Sequence, residues 1–229
     1  MSPLSDRVAE VRERIAGAAA RAGRSVETVR LLAVTKRHPA AIVREGYSLG
    51  LRAFGENYAQ ELVAKVADVG PLADIEWHMI GHLQTNKARL VAPVVTAVHT
   101  IDSAHLAVEL GKRAAKTGRV IGVLIEVNVA KDPAKTGCAP DDVTPIIDAV
   151  RAAGSLELRG LMTMPPYSED PDASRPFFAQ LRELQGRHGG VRALPELSMG
   201  MSHDLETAIA EGATIVRVGT AIFGEREVG

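Results

Sequence analysis

Lys36 is the residue of this sequence whose type and position best suit it for chemistry. It follows the apolar residues of the segment Leu31–Thr35, which predicts a buried strand, so the lysine stands where that strand meets its loop. A partly desolvated lysine loses its proton readily and becomes a nucleophile that forms Schiff bases with carbonyl compounds. The alternative is a strand-end lysine that extends its ammonium group to water. Position alone favours that alternative, and the rest of the sequence reverses the preference.

Two glycine-containing turns indicate an anion site. The segment Ser198–Asp204 predicts a strand that leads through a tight turn into a helix capped by Ser202 or Asp204. The segment Gly219–Gly224 repeats this pattern after the last predicted strand. Glycine lets the backbone approach a ligand, and free amides with hydroxyl groups at a helix start bind anions. Together the turns favour a phosphate pocket over plain helix capping.

Arg217 lies one residue inside the last predicted strand. A buried arginine is costly unless it is paired, so it should meet either a carboxylate, with Glu56 and Asp204 as candidates, or an electron-rich ligand atom. Against a pyridine nitrogen, arginine would donate a hydrogen bond but could hardly give up its proton. Such a ring would remain a weak electron sink.

His78 and His82 are four residues apart, which is a metal-binding spacing only on a helix. The segment Trp77–His82 instead predicts a strand and a glycine turn, so the two imidazoles should not share a face. We therefore expect no metal site, and interpret His78 and His99 as core histidines. Cys138 has no histidine close to it in sequence, which argues against a catalytic thiol.

Eight short apolar runs alternate with amphipathic stretches and predict the elements that position these groups. The predicted strands are Leu31–Thr35, Arg52–Gly55, Glu76–Ile80, Ala97–Ile101, Ile121–Val129, Leu158–Thr163, Glu196–Ser198 and Thr214–Val218. The predicted helices between them include Tyr58–Val69, His105–Lys116, Val143–Ala153, Phe177–His188 and Leu205–Ala210. Ser5 or Asp6 is the expected cap of a first helix that ends at Ala22 and Gly23.

These βα units predict a parallel (β/α)8 TIM barrel with an extra N-terminal helix, formed by residues 1–229 as one domain. A doubly wound open sheet is the second choice, because it usually needs fewer strands and this sequence has no glycine-rich fingerprint after the first strand. Ligands of such barrels bind at the carboxyl ends of the strands. Lys36, Arg217 and both turns fall at those ends.

Composition limits the class of function. The 229 residues are 46% hydrophobic and 24% charged, which suits one soluble domain with a substantial core. A net charge of -1, with basic residues spread along the chain, argues against a nucleic-acid or polybasic membrane surface. A single cysteine and an N-terminus without a secretory signal predict a reducing, cytoplasmic setting, and no apolar run predicts a membrane span.

Seven motifs of this sequence are together highly specific: Val34–Lys36, Phe54–Glu61, Trp77–Lys87, His99–Asp102, Arg159–Met162, Leu197–Ser202 and Val216–Gly224. With them the chain closely resembles, from about Leu31 to Gly224, the pyridoxal phosphate homeostasis proteins, a family similar to the barrel domain of alanine racemase.

The family binds pyridoxal 5'-phosphate (PLP) as an internal aldimine, and the resemblance implies that Lys36 forms it. It also implies that Arg217 lies beside the pyridine nitrogen and that Asn57 lies near the face or hydroxyl edge of the ring. Lys135 matches a lysine that relatives use as a secondary contact. His38 is a departure, because some relatives have a second lysine there, which puts a hand-off through that amine in doubt. The residues implied for the phosphate are Ser202, Gly219 and Thr220.

The resemblance implies a non-catalytic carrier that holds PLP for intracellular homeostasis and passes it to apo-enzymes. The second hypothesis is a PLP-dependent amino-acid racemase or decarboxylase, which needs acid and base groups on opposite faces of the substrate. Two-domain relatives obtain them partly from a C-terminal domain or partner subunit, and we expect neither here because the sequence stops at Gly229. A Schiff-base aldolase for a phosphosugar is the third hypothesis. We expect a monomer with no nucleic-acid or membrane partner.

Overall fold

A computed structural model describes residues 3–224, so residues 1–2 and 225–229 of the predicted domain lie outside the described part. Eight parallel strands close into a barrel in chain order, with the last strand paired to the first. The predicted (β/α)8 TIM barrel with an extra N-terminal helix is confirmed. Its strands are β1 (Arg30–Val34), β2 (Ala53–Glu56), β3 (Glu76–Met79), β4 (Ala97–Ile101), β5 (Ile121–Glu126), β6 (Leu156–Met162), β7 (Glu196–Met201) and β8 (Ile215–Val218).

Helices cover the outside of the barrel, and within residues 3–224 none is both long and apolar enough to cross a bilayer. They are α1 (Leu4–Arg21), α2 (Ala40–Ser48), α3 (Ala59–Val69), α4 (Ala88–Val91), α5 (Ala104–Thr117), α6 (Val143–Ala152), α7 (Arg175–Arg187), α8 (Gly190–Ala193), α9 (Leu205–Ala210) and α10 (Thr220–Phe223). Short 3₁₀ turns lie at Val26–Thr28, Thr85–Lys87, Pro140–Asp142 and Pro171–Ser174.

The interior of the barrel is more polar than the layer around it. Apolar side chains between strands and helices form one large cluster. A second, small cluster of Leu32, Ala53 and Ile215 alternates with it along the strands and therefore faces the barrel axis. Polar side chains share this inward phase with the apolar ones, among them His78, His99, Ser198 and Arg217.

Helix α1 buries the apolar stripe that its sequence predicts: Val8, Val11, Ile15, Ala18 and Ala19. Its predicted cap is wrong. The helix begins directly after Pro3, whose fixed φ favours a helix start, and neither Ser5 nor Asp6 caps it because both lie within the first turn. The predicted end at Ala22 is confirmed.

Two strands differ from the predicted length by three residues each, and the others by at most one. β5 ends at Glu126 instead of Val129, because the Asn128 side chain bonds the backbone of the following loop and turns the chain away from the sheet. β7 continues from Ser198 to Met201. In both places a buried apolar run extends across the strand boundary, and such a run does not distinguish a strand from a packed loop.

Candidate functional site

A cavity of about 320 Å³ lies at the carboxyl ends of the strands. This volume falls in the range of small-molecule sites. Barrel closure brings together residues from the ends of β1, β2, β7 and β8, although they are far apart in sequence. All six residues that the sequence analysis singled out line this cavity: Lys36, Asn57, Ser202, Arg217, Gly219 and Thr220.

Below Lys36 lies a buried ionic group that we call the Lys65 cluster, formed by Thr35, Glu56, Glu61 and Lys65. The Lys65 amine donates to Glu56 Oε1 at 2.6 Å, to Glu61 Oε1 at 2.9 Å and to the Thr35 carbonyl oxygen at 2.6 Å. The Thr35 hydroxyl also donates to Glu56 Oε1, at 2.6 Å.

The Lys65 cluster holds the backbone on both sides of Lys36. Lys65 binds the carbonyl of the preceding residue, and Glu61 accepts a hydrogen bond from the backbone amide of Arg37. Arg37 has a φ of 62°, in the left-handed region that non-glycine residues rarely adopt. The cluster therefore fixes the direction in which the strand end presents Lys36.

Charges in the Lys65 cluster are only partly balanced. Burial raises the pKa of Glu56, against the hydrogen bonds from Lys65 and Thr35. Its second oxygen, Oε2, has no hydrogen-bond partner within the described residues. The single ammonium group of Lys65 thus pairs with two carboxylates. Loss of Lys65 would leave both Glu56 and Glu61 without their cation.

Arg217 is 5% exposed and lines the floor of the cavity. Its Nη1 donates to Ser198 Oγ at 2.9 Å and its Nη2 to the Thr163 carbonyl oxygen at 3.0 Å. The alternative of a carboxylate partner is wrong for Glu56 and Asp204, because neither forms an ion pair with it and Glu56 pairs with Lys65. Burial lowers the pKa of Arg217 to about 10, which still leaves it a cation at neutral pH.

Hydrogen bonds continue from Arg217 through the barrel axis, in what we call the Arg217 chain. Ser198 Oγ lies 2.9 Å from His99 Nδ1, and His99 Nε2 lies 2.9 Å from His78 Nδ1. His78 Nε2 then lies 3.4 Å from Glu76 Oε2. The chain therefore crosses the interior from the cavity to the opposite end of the barrel.

The partners assign the direction of every hydrogen bond in the Arg217 chain. Burial lowers the pKa of His78 and His99, so both imidazoles are neutral and carry one proton each. The hydrogen bond from His78 and the ion pair with Arg30 lower the pKa of Glu76 to about 2, so this carboxylate only accepts. Each imidazole must then carry its proton on Nε2, and Ser198 donates to His99.

The two glycine-containing turns meet beside Lys36. The Ser202 hydroxyl accepts a hydrogen bond from the Ala221 amide at 3.3 Å, which links the loop after β7 to the start of α10. Asp204 occupies the N-cap position of α9, as one of the two predicted caps, but its side chain bonds no amide of that helix. Asp204 instead accepts from the Met201 amide at 2.7 Å and closes the turn itself.

Gly200 has a different role from the one predicted. Its φ is 90°, and a Cβ atom there would lie 2.5 Å from the Cβ of Ala208. The glycine is therefore required by the turn and by its close packing on α9, rather than by an approaching ligand.

The sequence analysis missed other residues at or near the cavity, because the sequence around most of them gives little indication of a site. Glu126 ends β5, and His82 pairs with Asp102 at 3.3 Å. Tyr167 and His203 connect two loops over the mouth, with ring centroids 5.8 Å apart. Lys65 had a stronger signal, because it lies on the apolar face of α3 with its other buried residues: Ala59, Leu62 and Val69.

Two residues named through the family resemblance lie near the mouth. His38 lines the cavity, and its ring lies 5.5 Å from that of Phe223. Lys135 donates to the Met164 carbonyl oxygen at 2.9 Å, and burial lowers its pKa. Lys135 does not itself line the cavity.

Comparisons with known proteins identify the family. Residues 8–227 match the family described as alanine racemase, N-terminal domain. The pyridoxal phosphate homeostasis protein of Aquifex aeolicus is 46% identical over 225 residues, covering 97% of this chain and 98% of that protein. The corresponding Pseudomonas aeruginosa protein is 44% identical over 229 residues, covering 100% of this chain and 98% of that protein.

A solved structure agrees with both relatives. PipY of Synechococcus elongatus with PLP bound superimposes with a TM-score of 0.82 at 37% identity, over 97% of this chain and 100% of that one. Family model, sequence relatives and structure all cover nearly the whole chain. The chain therefore belongs to the pyridoxal phosphate homeostasis protein family, whose barrel is that of the alanine racemase N-terminal domain.

Proposed function

We propose that this protein binds PLP as a Schiff base on Lys36 and serves intracellular pyridoxal phosphate homeostasis without efficient catalysis. One observation carries the proposal: six residues from four strand ends converge on a single cavity of about 320 Å³. The names of the relatives and the PLP bound to PipY support the same ligand.

The side chains present fit the chemical groups of PLP. The Lys36 amine suits the aldehyde carbon, the Arg217 guanidinium would donate to the ring nitrogen, and Asn57 would contact the ring. Backbone amides and hydroxyl groups of the two turns suit the phosphate. When bound, PLP supplies an electrophilic carbon attached to an electron-withdrawing ring. Three residues of the turns would hold the phosphate: Ser202, Gly219 and Thr220.

Arg217 also supports the absence of efficient turnover. It stays charged at neutral pH, and its two bonds to Ser198 and Thr163 use only two of its five N–H groups. A remaining N–H could offer the ring a hydrogen bond but no transferable proton. The competing function is an amino-acid racemase, which the family description favours. Arg217 holds the ligand under both proposals, but it assists carbanion formation poorly.

An absorbance spectrum with borohydride reduction tests PLP binding. Purified protein should show the cofactor band, and reduction followed by mass spectrometry should place the adduct on Lys36. Lys135→Ala is the matched control, because that amine is also partly desolvated and near the mouth. Full labelling of Lys135 instead of Lys36 would contradict the assignment.

Deuterium exchange at the α-carbon of an amino acid distinguishes the carrier hypothesis from the racemase hypothesis. The holo-protein is incubated with alanine in deuterated water, and exchange of the α-proton is followed together with chirality. We expect a rate little above that of free PLP. Fast racemisation that disappears in Lys36→Ala would restore the enzyme hypothesis.

We further propose a cytoplasmic monomer that transfers PLP to apo-enzymes. Cys138 is buried, and burial raises the pKa of its thiol to about 12, so it is unsuited to disulfide exchange. The molar mass of the holo-protein in solution, measured by light scattering, tests whether it is a monomer. The transfer is tested by mixing the holo-protein with an apo-enzyme and measuring how fast the enzyme regains activity. The rate is compared with that produced by an equal amount of free PLP.

A further inference from the structure

Glu126 is a buried acid at the cavity that the proposed PLP site does not use. Its side chain is 4% exposed, and it lines the cavity together with Lys36. Oε1 accepts a hydrogen bond from the Thr136 hydroxyl at 2.8 Å. Oε2 has no hydrogen-bond partner within residues 3–224. A buried polar atom without a partner is costly, so a ligand that supplies a donor would be stabilised there.

The loop after β5 is built around this carboxyl group. The Cys138 amide donates to the Glu126 carbonyl oxygen at 2.9 Å and brings the loop back beside the strand. Gly137 has a φ of 103°, and a Cβ atom there would lie 2.9 Å from the Asn128 amide nitrogen. The loop can therefore close only with glycine at this position, and closure holds the Thr136 hydroxyl on Glu126.

The surroundings of Glu126 contain charges of both signs. Burial is the largest influence and raises the pKa of Glu126, the hydrogen bond from Thr136 lowers it, Asp102 raises it, and Arg217 and His82 lower it. Lys135 lies within electrostatic reach from the same loop. Arg217 is already held by Ser198 and Thr163, and His82 by Asp102. None of these groups forms an ion pair with Glu126 in the described residues.

The position of Glu126 leaves room for a second ligand group beside PLP. β5 lies opposite β1 in the closed ring, so Glu126 and Lys36 face the cavity from opposite sides. β6 neighbours β5, and Met164 and Tyr167, in the loop after β6, also line the cavity. A cavity lined by a carboxylate, a thioether and an aromatic ring suits a cation with a short apolar substituent.

We propose that Glu126 and Thr136 form a second subsite that binds the ammonium group of a small primary amine, such as an alkylamine or amino acid. The bound amine would lie across the cavity from Lys36. Its role beside the cofactor rests on the proposed PLP site, because the subsite would then admit an amine-bearing ligand next to bound PLP. The subsite itself belongs to the chain and does not need PLP to be tested.

Ethylammonium is the probe, and its binding to cofactor-stripped and holo-protein is measured by calorimetry. Glu126→Gln keeps the shape of the side chain but removes the charge, and we expect affinity to fall about tenfold or more. Thr136→Val, which removes the orienting hydroxyl, should weaken binding less. Glu13→Gln changes an exposed acid on α1 and serves as the matched control. Thermal unfolding checks that each variant is folded.

Equal affinity for ethylammonium in wild type and Glu126→Gln, or no binding by either form of the wild type, would overturn the subsite. Binding of neutral ethanol with the same affinity would also overturn it, because the charge would then have no part. The proposed function fails separately, through the absence of a cofactor band in the wild-type spectrum. In that case the stripped protein still tests the amine subsite.

Discussion

The two buried cations next to the cavity are held in opposite ways. Lys65, on the β1–β2 side, lies between two carboxylates and also binds the Thr35 carbonyl. Arg217, on the β7–β8 side, donates to a neutral hydroxyl and a carbonyl, and the carboxylate of Glu76 is three hydrogen-bonded side chains away.

This difference follows from the chemistry of the two cations. A lysine loses its charge readily when desolvated, whereas a guanidinium keeps its proton even in a neutral setting. The Lys65 cluster can therefore hold a backbone segment through charge, while the Arg217 chain holds a charged side chain at the cavity floor without a carboxylate in direct contact with it. One arrangement presents Lys36, and the other leaves the cavity floor as a hydrogen-bond donor.

Lys65→Met should give the largest effect, because it leaves Glu56 buried without its cation. Breaking a buried ion pair by removing one partner typically costs about 3–5 kcal/mol, and we expect a loss of this size in the free energy of unfolding measured with urea. Lys116→Met, on the exposed end of α5, is the control and should stay within about 0.5 kcal/mol. Wild-type stability in Lys65→Met would show that the cluster contributes little.

The double variant Lys65→Met/Glu56→Leu sharpens this test. It removes the stranded carboxylate as well as the cation, so part of the lost stability should return. A double variant that is less stable than the sum of its single changes would contradict the ionic interpretation of the cluster.

Thr220→Val tests the ligand side of the comparison. It removes a hydroxyl from the proposed phosphate turn, and a charge-assisted hydrogen bond is worth about 1.5–3 kcal/mol, or tenfold or more in PLP affinity. Spectroscopic titration measures the affinity, and Ser202→Ala should act in the same direction. Unchanged PLP affinity in both variants would contradict the assignment of the phosphate to these turns. Pyridoxal without its phosphate should bind poorly to all of them.

Ser198→Ala breaks the Arg217 chain. It removes the one hydroxyl group that Arg217 Nη1 and His99 Nδ1 share, and loss of such a buried hydrogen-bond partner costs about 1–3 kcal/mol. We expect a smaller loss in the free energy of unfolding than for Lys65→Met, because no carboxylate is stranded. Ser5→Ala, at an exposed site, is the control. A loss larger than that of Lys65→Met would reverse the comparison.

The smallest effect is a pH dependence. Burial raises the pKa of Glu126 in the folded protein, so between the unfolded value and this raised value the folded state binds more protons. The contribution of Glu126 is therefore fully present below the unfolded pKa and is lost as pH rises through the folded one, by at most about 1.4 kcal/mol per pH unit.

Urea unfolding at several pH values measures this slope. Glu126→Gln should become more stable relative to wild type as pH rises through the same window, whereas Glu13→Gln, at an exposed position, should show no such trend. A relative stability of Glu126→Gln that falls with rising pH would contradict the sign.

The sequence predicted the barrel and the position of Lys36 because both depend on local patterns. Alternating apolar runs and amphipathic stretches define βα units, and a strand end is recognisable without knowing its neighbours. The same patterns placed Arg217 near the cavity but did not identify its hydrogen-bond partners. Ser198 and Thr163 reach it only because the barrel closes in one register, which no local pattern contains.

Errors at element ends had a different cause. Ser5 and Asp6 are good caps by residue type, but Pro3 starts the helix earlier. Glu126 was hidden inside a predicted strand that was three residues too long, so its place at the cavity could not be recognised. Strand-end position and the family resemblance therefore found the groups expected to contact PLP, while the acid proposed to bind an amine required the actual strand boundary.

The directed hydrogen bonds of the Arg217 chain also provide a measurement of motion. The Nε2 protons of His78 and His99 are enclosed by the barrel wall, and each is held by an acceptor. Such protons exchange with deuterated water only when the structure around them opens. Two slowly exchanging imidazole signals in a magnetic resonance spectrum would report how often the barrel interior becomes wet, independently of what occupies the mouth.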